Sequence, residues 1–168
     1  MVCHPAVKHP PRYPMKALLE HLPALLPLAT EWAQEQEASI LASGEPLSEQ
    51  GLADARTVGV IHPEKIRLLK VTSVPSPTHP LLIQAGETVG LISPHSSGLT
   101  AGYGIFIRED CWGSRRLIAH ECVHCAQYER LGGIENFLTQ YLRQCIEFGY
   151  LGAPLEQEAV DKENRVFE

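Results

Sequence analysis

One helix is bracketed more firmly than any other segment of this chain. Ser114 is a good N-cap and the pair Gly132-Gly133 is a stop signal, so RRLIAHECVHCAQYERL reads as a helix from Arg115 to about Leu131. At 3.6 residues per turn, positions four apart project from one face. His120 and His124 therefore share a face, Gln127 lies on it as well, and Glu121 sits about 100° round the helix from His120. Measured from His120, Cys122 and Cys125 point about 200° and about 140° away, which makes them buried apolar thiols and rules out a Cys/His zinc knuckle.

Around this helix the chain changes character twice. Residues 1–14, MVCHPAVKHPPRYP, carry four prolines and no periodicity, and read as a flexible Pro/His-rich tail; Cys3, His4 and His9 within it are not taken as a metal site. From Met15 to about Ala42 the leucines fall at helical spacing, with a kink or break expected at Pro23 and Pro27. Ser48 caps a short second helix reaching Thr57. KIRLLKVTSV at 65–74 reads as a strand, and LLIQ and VGLIS read as a hairpin around Ala85-Gly86-Glu87-Thr88. A loop, SPHSSGLTAG, leads to the alternating strand YGIFIR at 103–108. Beyond the bracketed helix, a further one is expected from about Ile134 to Phe148, and Pro154 opens a last one at the position where proline is tolerated. Helices first, a small sheet in the middle and helices last make an α+β domain over residues 15–168.

The 168 residues suit one compact domain with a core, and with only 7% aromatics that core is mostly aliphatic. A net charge of −6 argues against nucleic acid and against an anionic membrane surface as partners. The apolar stretch from Met15 to Ala33 is interrupted by Glu20, His21, Pro23, Pro27 and Glu31, short of the roughly 18 unbroken residues of a membrane span. It is expected to be an amphipathic helix and not a signal peptide. Five cysteines, an odd number, do not form a disulfide framework, and a cytoplasmic setting is the simplest expectation.

Residues 120–124, HECVH, fit H-E-x-x-H. Two imidazoles one turn apart can share a Zn²⁺ at about 2.0–2.1 Å each. Glu121 is then placed to take a proton from a water that the cation acidifies, which is the chemistry of a hydrolase. A catalytic zinc takes three protein ligands as a rule, and no histidine follows His124. Carboxylates of the last helix, in APLEQEAVD, are the candidates: Glu156, Glu158 and Asp161.

On His120, Glu121 and His124, with E-x-E-A at 156–159, the chain resembles the gluzincin class of zinc metallopeptidases. LIAHECVHCAQYERLGG, with Gln127, is also similar to small bacterial proteins carrying an H-E-x-x-H-x-x-Q helix. The resemblance covers about residues 98–161. It implies a minimal zincin-like fold with a small mixed or antiparallel sheet, a peptide or protein substrate, and a third ligand at Glu156, which with Ala159 matches E-x-x-A; Glu158 is held in reserve. It also implies a substrate strand beside the metal. GLTAGYGIFI fits that part, with Gly102, Tyr103 and Gly104 as substrate-binding residues. An oxyanion-stabilising group is expected among Tyr103, Tyr128, Tyr150 and Arg130, and Gln127 is expected to orient a ligand. Two other functions share the motif: a metal-binding or regulatory module that cleaves nothing, and a hydrolase of a non-peptide amide or ester.

Overall fold

The structure, a computed structural model, describes residues 15–91, 93 and 95–168; the expected tail at 1–14 lies outside the described residues. Among the described residues, six α-helices and four short strands alternate unevenly: α1 (Met15–Ser43), β1 (Glu45–Pro46), α2 (Glu49–Val58), β2 (Arg67–Val71), α3 (Pro80–Val89), β3 (Gly98–Ala101), β4 (Gly104–Arg108), α4 (Arg115–Leu131), α5 (Ile134–Phe148) and α6 (Pro154–Glu163). The class is α+β. The sheet is mixed, in the order β1-β2-β4-β3: β2 and β4 run parallel, and the other two pairs are antiparallel.

The local signals that are confined to one turn hold. Ser48 Oγ accepts from Gly51 N–H, Ser114 Oγ accepts from Leu117 N–H, and Gly132 closes α4 with φ +90°. Three expectations do not hold. The helix α1 runs unbroken through Pro23 and Pro27. Both prolines are exposed and four residues apart, so the carbonyls they leave without a donor face water. On the other face Leu18, Leu22, Leu25, Ala29 and Ala33 are buried, and that packing sustains the helix.

The expected hairpin at 81–93 is the helix α3. Pro80 occupies its first turn, Gly90 ends it in the left-handed region, and Leu82, Gly86 and Val89 are buried at helical spacing. GLTAGYGIFI is two strands, not one: Gly102, at φ +58°, turns β3 back on β4.

Two hydrophobic clusters result. One joins α1, α3 and α5 through residues such as Leu25, Leu82, Phe137 and Ile146. The other joins the sheet to α2 and α4 through Ile105, Ile107, Val58, Cys122 and Val123. Helix α4 lies between them. Its thiol side, with Cys122 and Cys125 fully buried and free, belongs to the second cluster, and its imidazole side faces α5, α6 and β3.

Candidate metal centre

Ligand atoms of His120, His124 and Glu156 lie within 4.8 Å of one another. His124 Nε2 is 3.3 Å from Glu156 Oε1, and His120 Nε2 is 3.5 Å from Glu156 Oε2. These separations are long for a charge-assisted hydrogen bond, about 2.7–2.9 Å. Each is close to the donor–donor separation of about 3.3–3.4 Å around a tetrahedral cation with ligands at about 2.0–2.1 Å, with each imidazole facing a different oxygen of Glu156.

The far ring nitrogens are bound at true hydrogen-bond distance. His120 Nδ1 is 2.8 Å from Glu163 Oε2, and His124 Nδ1 is 2.8 Å from Gln127 Oε1. With Nδ1 donating in each case, the Nε2 lone pairs are left for the centre, an arrangement typical of metal-ligating histidines. Gln127 is fully buried, and its Nε2 donates to Leu155 O at 2.9 Å and Glu158 Oε2 at 3.0 Å, so it ties α4 to α6. The Tyr141 hydroxyl donates to Glu156 Oε1 at 2.5 Å and fixes the carboxylate from α5. Two imidazoles and a carboxylate, each with a partner behind it, form a donor set that fits Zn²⁺.

The charge balance supports the same grouping. Burial alone would lower the His120 imidazole, but the Glu156 carboxylate facing it, the charge of Glu121 and the Glu163 contact outweigh it and hold the group up at about 9. Burial and Glu156 compete likewise at His124, with a net upward shift. Burial opposes ionisation of Glu156, yet its bonds to His120 and His124 carry it well below the usual carboxylate range.

Glu158 does not join them. Arg130 holds it from two directions, at 2.7 and 2.8 Å, and Lys162 adds a third contact; the Arg130 guanidinium first, against burial, keeps its carboxyl at about 2. Asp161 is exposed.

Glu121 is buried beside the pair of histidines. Thr100 Oγ1 on β3 donates to Glu121 Oε2 at 2.6 Å, the one hydrogen bond of that carboxylate among the described residues. Glu121 Oε1 stands where a side chain on Gly98 would be, 2.7 Å from an ideal Cβ. The glycine that lets the carboxylate approach the sheet is thus Gly98. Gly102, Tyr103 and Gly104 lie elsewhere: Gly102 and Gly104 make room for Glu37 and Ile40 of α1, and the Tyr103 hydroxyl donates to Glu129 at 2.9 Å. None of the three lines the cleft at the centre, which is bordered by all four residues of β3.

Of the oxyanion candidates, Tyr128 uses its hydroxyl on Thr100 O and Arg130 is spent on Glu158. Tyr150 lines the cleft with its hydroxyl toward Glu156, and burial first, then the Glu156 charge, keeps that hydroxyl protonated. Three partners escaped the motif reading: Thr100, Tyr141 and Glu163. Glu163 alone had a signal, lying seven residues after Glu156 and so on the same face of α6 two turns later.

Compared with protein-family models, with curated proteins and with solved structures, the chain finds no match.

Proposed function

We propose that the protein is a zinc-dependent hydrolase of peptide bonds, working in the cytosol, with His120, His124 and Glu156 holding the metal and Glu121 as general base. One observation carries the reading: ligand atoms of His120, His124 and Glu156 converge within 4.8 Å of one another while each imidazole is braced from behind, and the additional carboxylate of Glu121 lines the same cleft.

When bound there, zinc supplies Lewis acidity that polarises a carbonyl and acidifies water. The chain's own residues do the rest. Glu121 Oε1 accepts the proton of the attacking water and returns it to the departing nitrogen, so one carboxylate serves both half-steps. Thr100 keeps the other oxygen occupied and so fixes which one faces the reaction. The Tyr150 hydroxyl, which burial keeps protonated, would have to turn from Glu156 to donate to negative charge that develops on the carbonyl oxygen. Burial of Glu121, His124 and Glu156 excludes bulk water and strengthens each of these interactions.

The test is Glu121→Gln assayed on a broad peptide library by mass spectrometry. Hydrolysis falls by about 10²–10⁴-fold while zinc is retained. Unchanged hydrolysis contradicts the reading.

A further inference from the structure

Helix α3 is bounded by empty space on two sides. The cleft at the candidate centre has a volume of about 190 Å³, and residues 74–91 supply one of its walls, with Val74 and Pro77 of the approach and Leu82 and Val89 of α3. A second cavity, of about 60 Å³, lies between α3 and α1, lined by Leu18 and Ala24 on one side and Leu81 and Gln84 on the other. Leu25 and Ala85 border both spaces. A helix next to two voids forfeits part of the dispersion contact that fixes a core element in place.

Its polar ties are few as well. Among the described residues, residues 74–91 make one hydrogen bond to the rest of the chain: Tyr150 N–H donates to Val89 O at 3.2 Å. The ends on either side are pinned to β4. Val71 pairs with Arg108, whose backbone N–H donates to Ser97 O at 2.8 Å and whose guanidinium donates to His95 O at 2.8 Å. Pro75, Pro77 and Pro80 stiffen the approach to α3, which leaves the bend at 72–73 as the place for an arm to turn.

The centre needs a wall that moves. Glu121, His124 and Glu156 are only 6%, 7% and 4% exposed. A cavity of about 150 Å³ is filled by one benzene ring, so the cleft as it stands admits a single side chain and not a length of peptide.

We propose that residues 74–91 form a lid, hinged where the chain leaves β2 and latched by the Tyr150–Val89 hydrogen bond, that swings off α1 to admit substrate and closes over it. Closure also fixes the backbone of Tyr150, whose hydroxyl faces Glu156. As a substrate gate the lid rests on the hydrolase reading above; its opening is measured without metal or substrate, which separates the two.

Ala29→Cys puts a buried thiol in the cleft wall opposite α3, one turn from Leu25. The metal-free full chain is treated with N-ethylmaleimide, and labelling at each thiol is followed by peptide mass spectrometry. Cys122 and Cys125, fully buried in the other hydrophobic cluster, are reached by global unfolding and supply the reference rate. The introduced thiol reacts at least tenfold faster than either, and reaction at the reference rate overturns the proposal. Leu81→Ala changes a half-exposed residue of α3 that lines the second cavity and not the cleft. It weakens the seat of the lid and raises the ratio of the two rates at least threefold; an unchanged ratio overturns α3 as the moving part. Opening without Glu121-dependent hydrolysis removes the hydrolase reading and leaves the lid standing. Glu121-dependent hydrolysis without opening does the reverse.

Discussion

Glu163 Oε2 lies 2.8 Å from His120 Nδ1, and this contact, from the last turn of α6, holds the His120 ring with its other nitrogen toward Glu156. Arg116 in turn sits 3.0 Å from Glu163 Oε1. Glu163→Ala frees the ring to rotate and to change tautomer, and zinc affinity falls about 10–100-fold in a chelator competition. Arg116→Ala removes the exposed partner of that pair and changes affinity much less.

On the proposed reading, Thr100→Val is expected to separate catalysis from metal binding. Its hydroxyl touches Glu121 and no ligand. Thr100→Val keeps the shape of β3 and leaves zinc content unchanged. Loss of a hydrogen bond to a charged group, about 1.5–3 kcal/mol, lowers kcat about tenfold or more when peptide turnover is measured beside metal content.

On the proposed reading, protons and zinc would compete for the same nitrogens. His120, raised to about 9 from the ordinary 6.5, is an imidazolium at pH 7 in metal-free protein, so zinc uptake releases its proton. Calorimetry in buffers of different ionisation enthalpy detects that release. Because the folded value lies above the unfolded one, the charged cluster stabilises metal-free protein fully below about pH 6.5. That stability is lost as pH rises through about 9. The melting temperature of metal-free protein therefore drops across this window, while zinc affinity rises across it.

Away from the centre, Asp54 on α2 accepts from Arg115 Nε at 2.7 Å and Nη2 at 2.8 Å, and Arg115 Nη2 also reaches Val166 O at 2.8 Å. This joins α2, the start of α4 and the C-terminal turn. Asp54→Ala costs about 2 kcal/mol, a fall in Tm of about 4–8 °C for a chain of this size, with zinc affinity unchanged. The Arg115 hydrogen bond, against burial, holds the Asp54 carboxyl below its ordinary value. Its contribution is present above about pH 3.9 and disappears as pH falls through the lowered native value, so the difference between wild type and variant closes in acid.

How much of this was legible beforehand follows from distance along the chain. The caps of α2 and α4 and the spacing of His120, Glu121 and His124 are decided within one or two turns, and they read directly. The meeting of Glu156 with the two histidines was reachable because H-E-x-x-H lacks a third donor, which directs attention to the last helix. Thr100, Tyr141 and Glu163 contact residues 21, 15 and 43 positions away, and no local pattern reports such contacts. The misread helix α3 has a different cause. Gly86 in its middle imitates a turn, and its freedom there serves tight packing instead, since the residue is buried. Gly102 and Gly104 likewise yield room to α1, whereas Gly98, at the start of β3, is the glycine that lets Glu121 approach the sheet.

Zinc content of purified wild type, Glu156→Ala and Glu158→Ala, measured by mass spectrometry of the eluted metal, tests the centre itself. Wild type and Glu158→Ala are expected to carry stoichiometric zinc, and Glu156→Ala to lose it. Wild type that takes up no zinc, or a Glu156→Ala variant that holds it as tightly, would contradict the arrangement on which the rest depends.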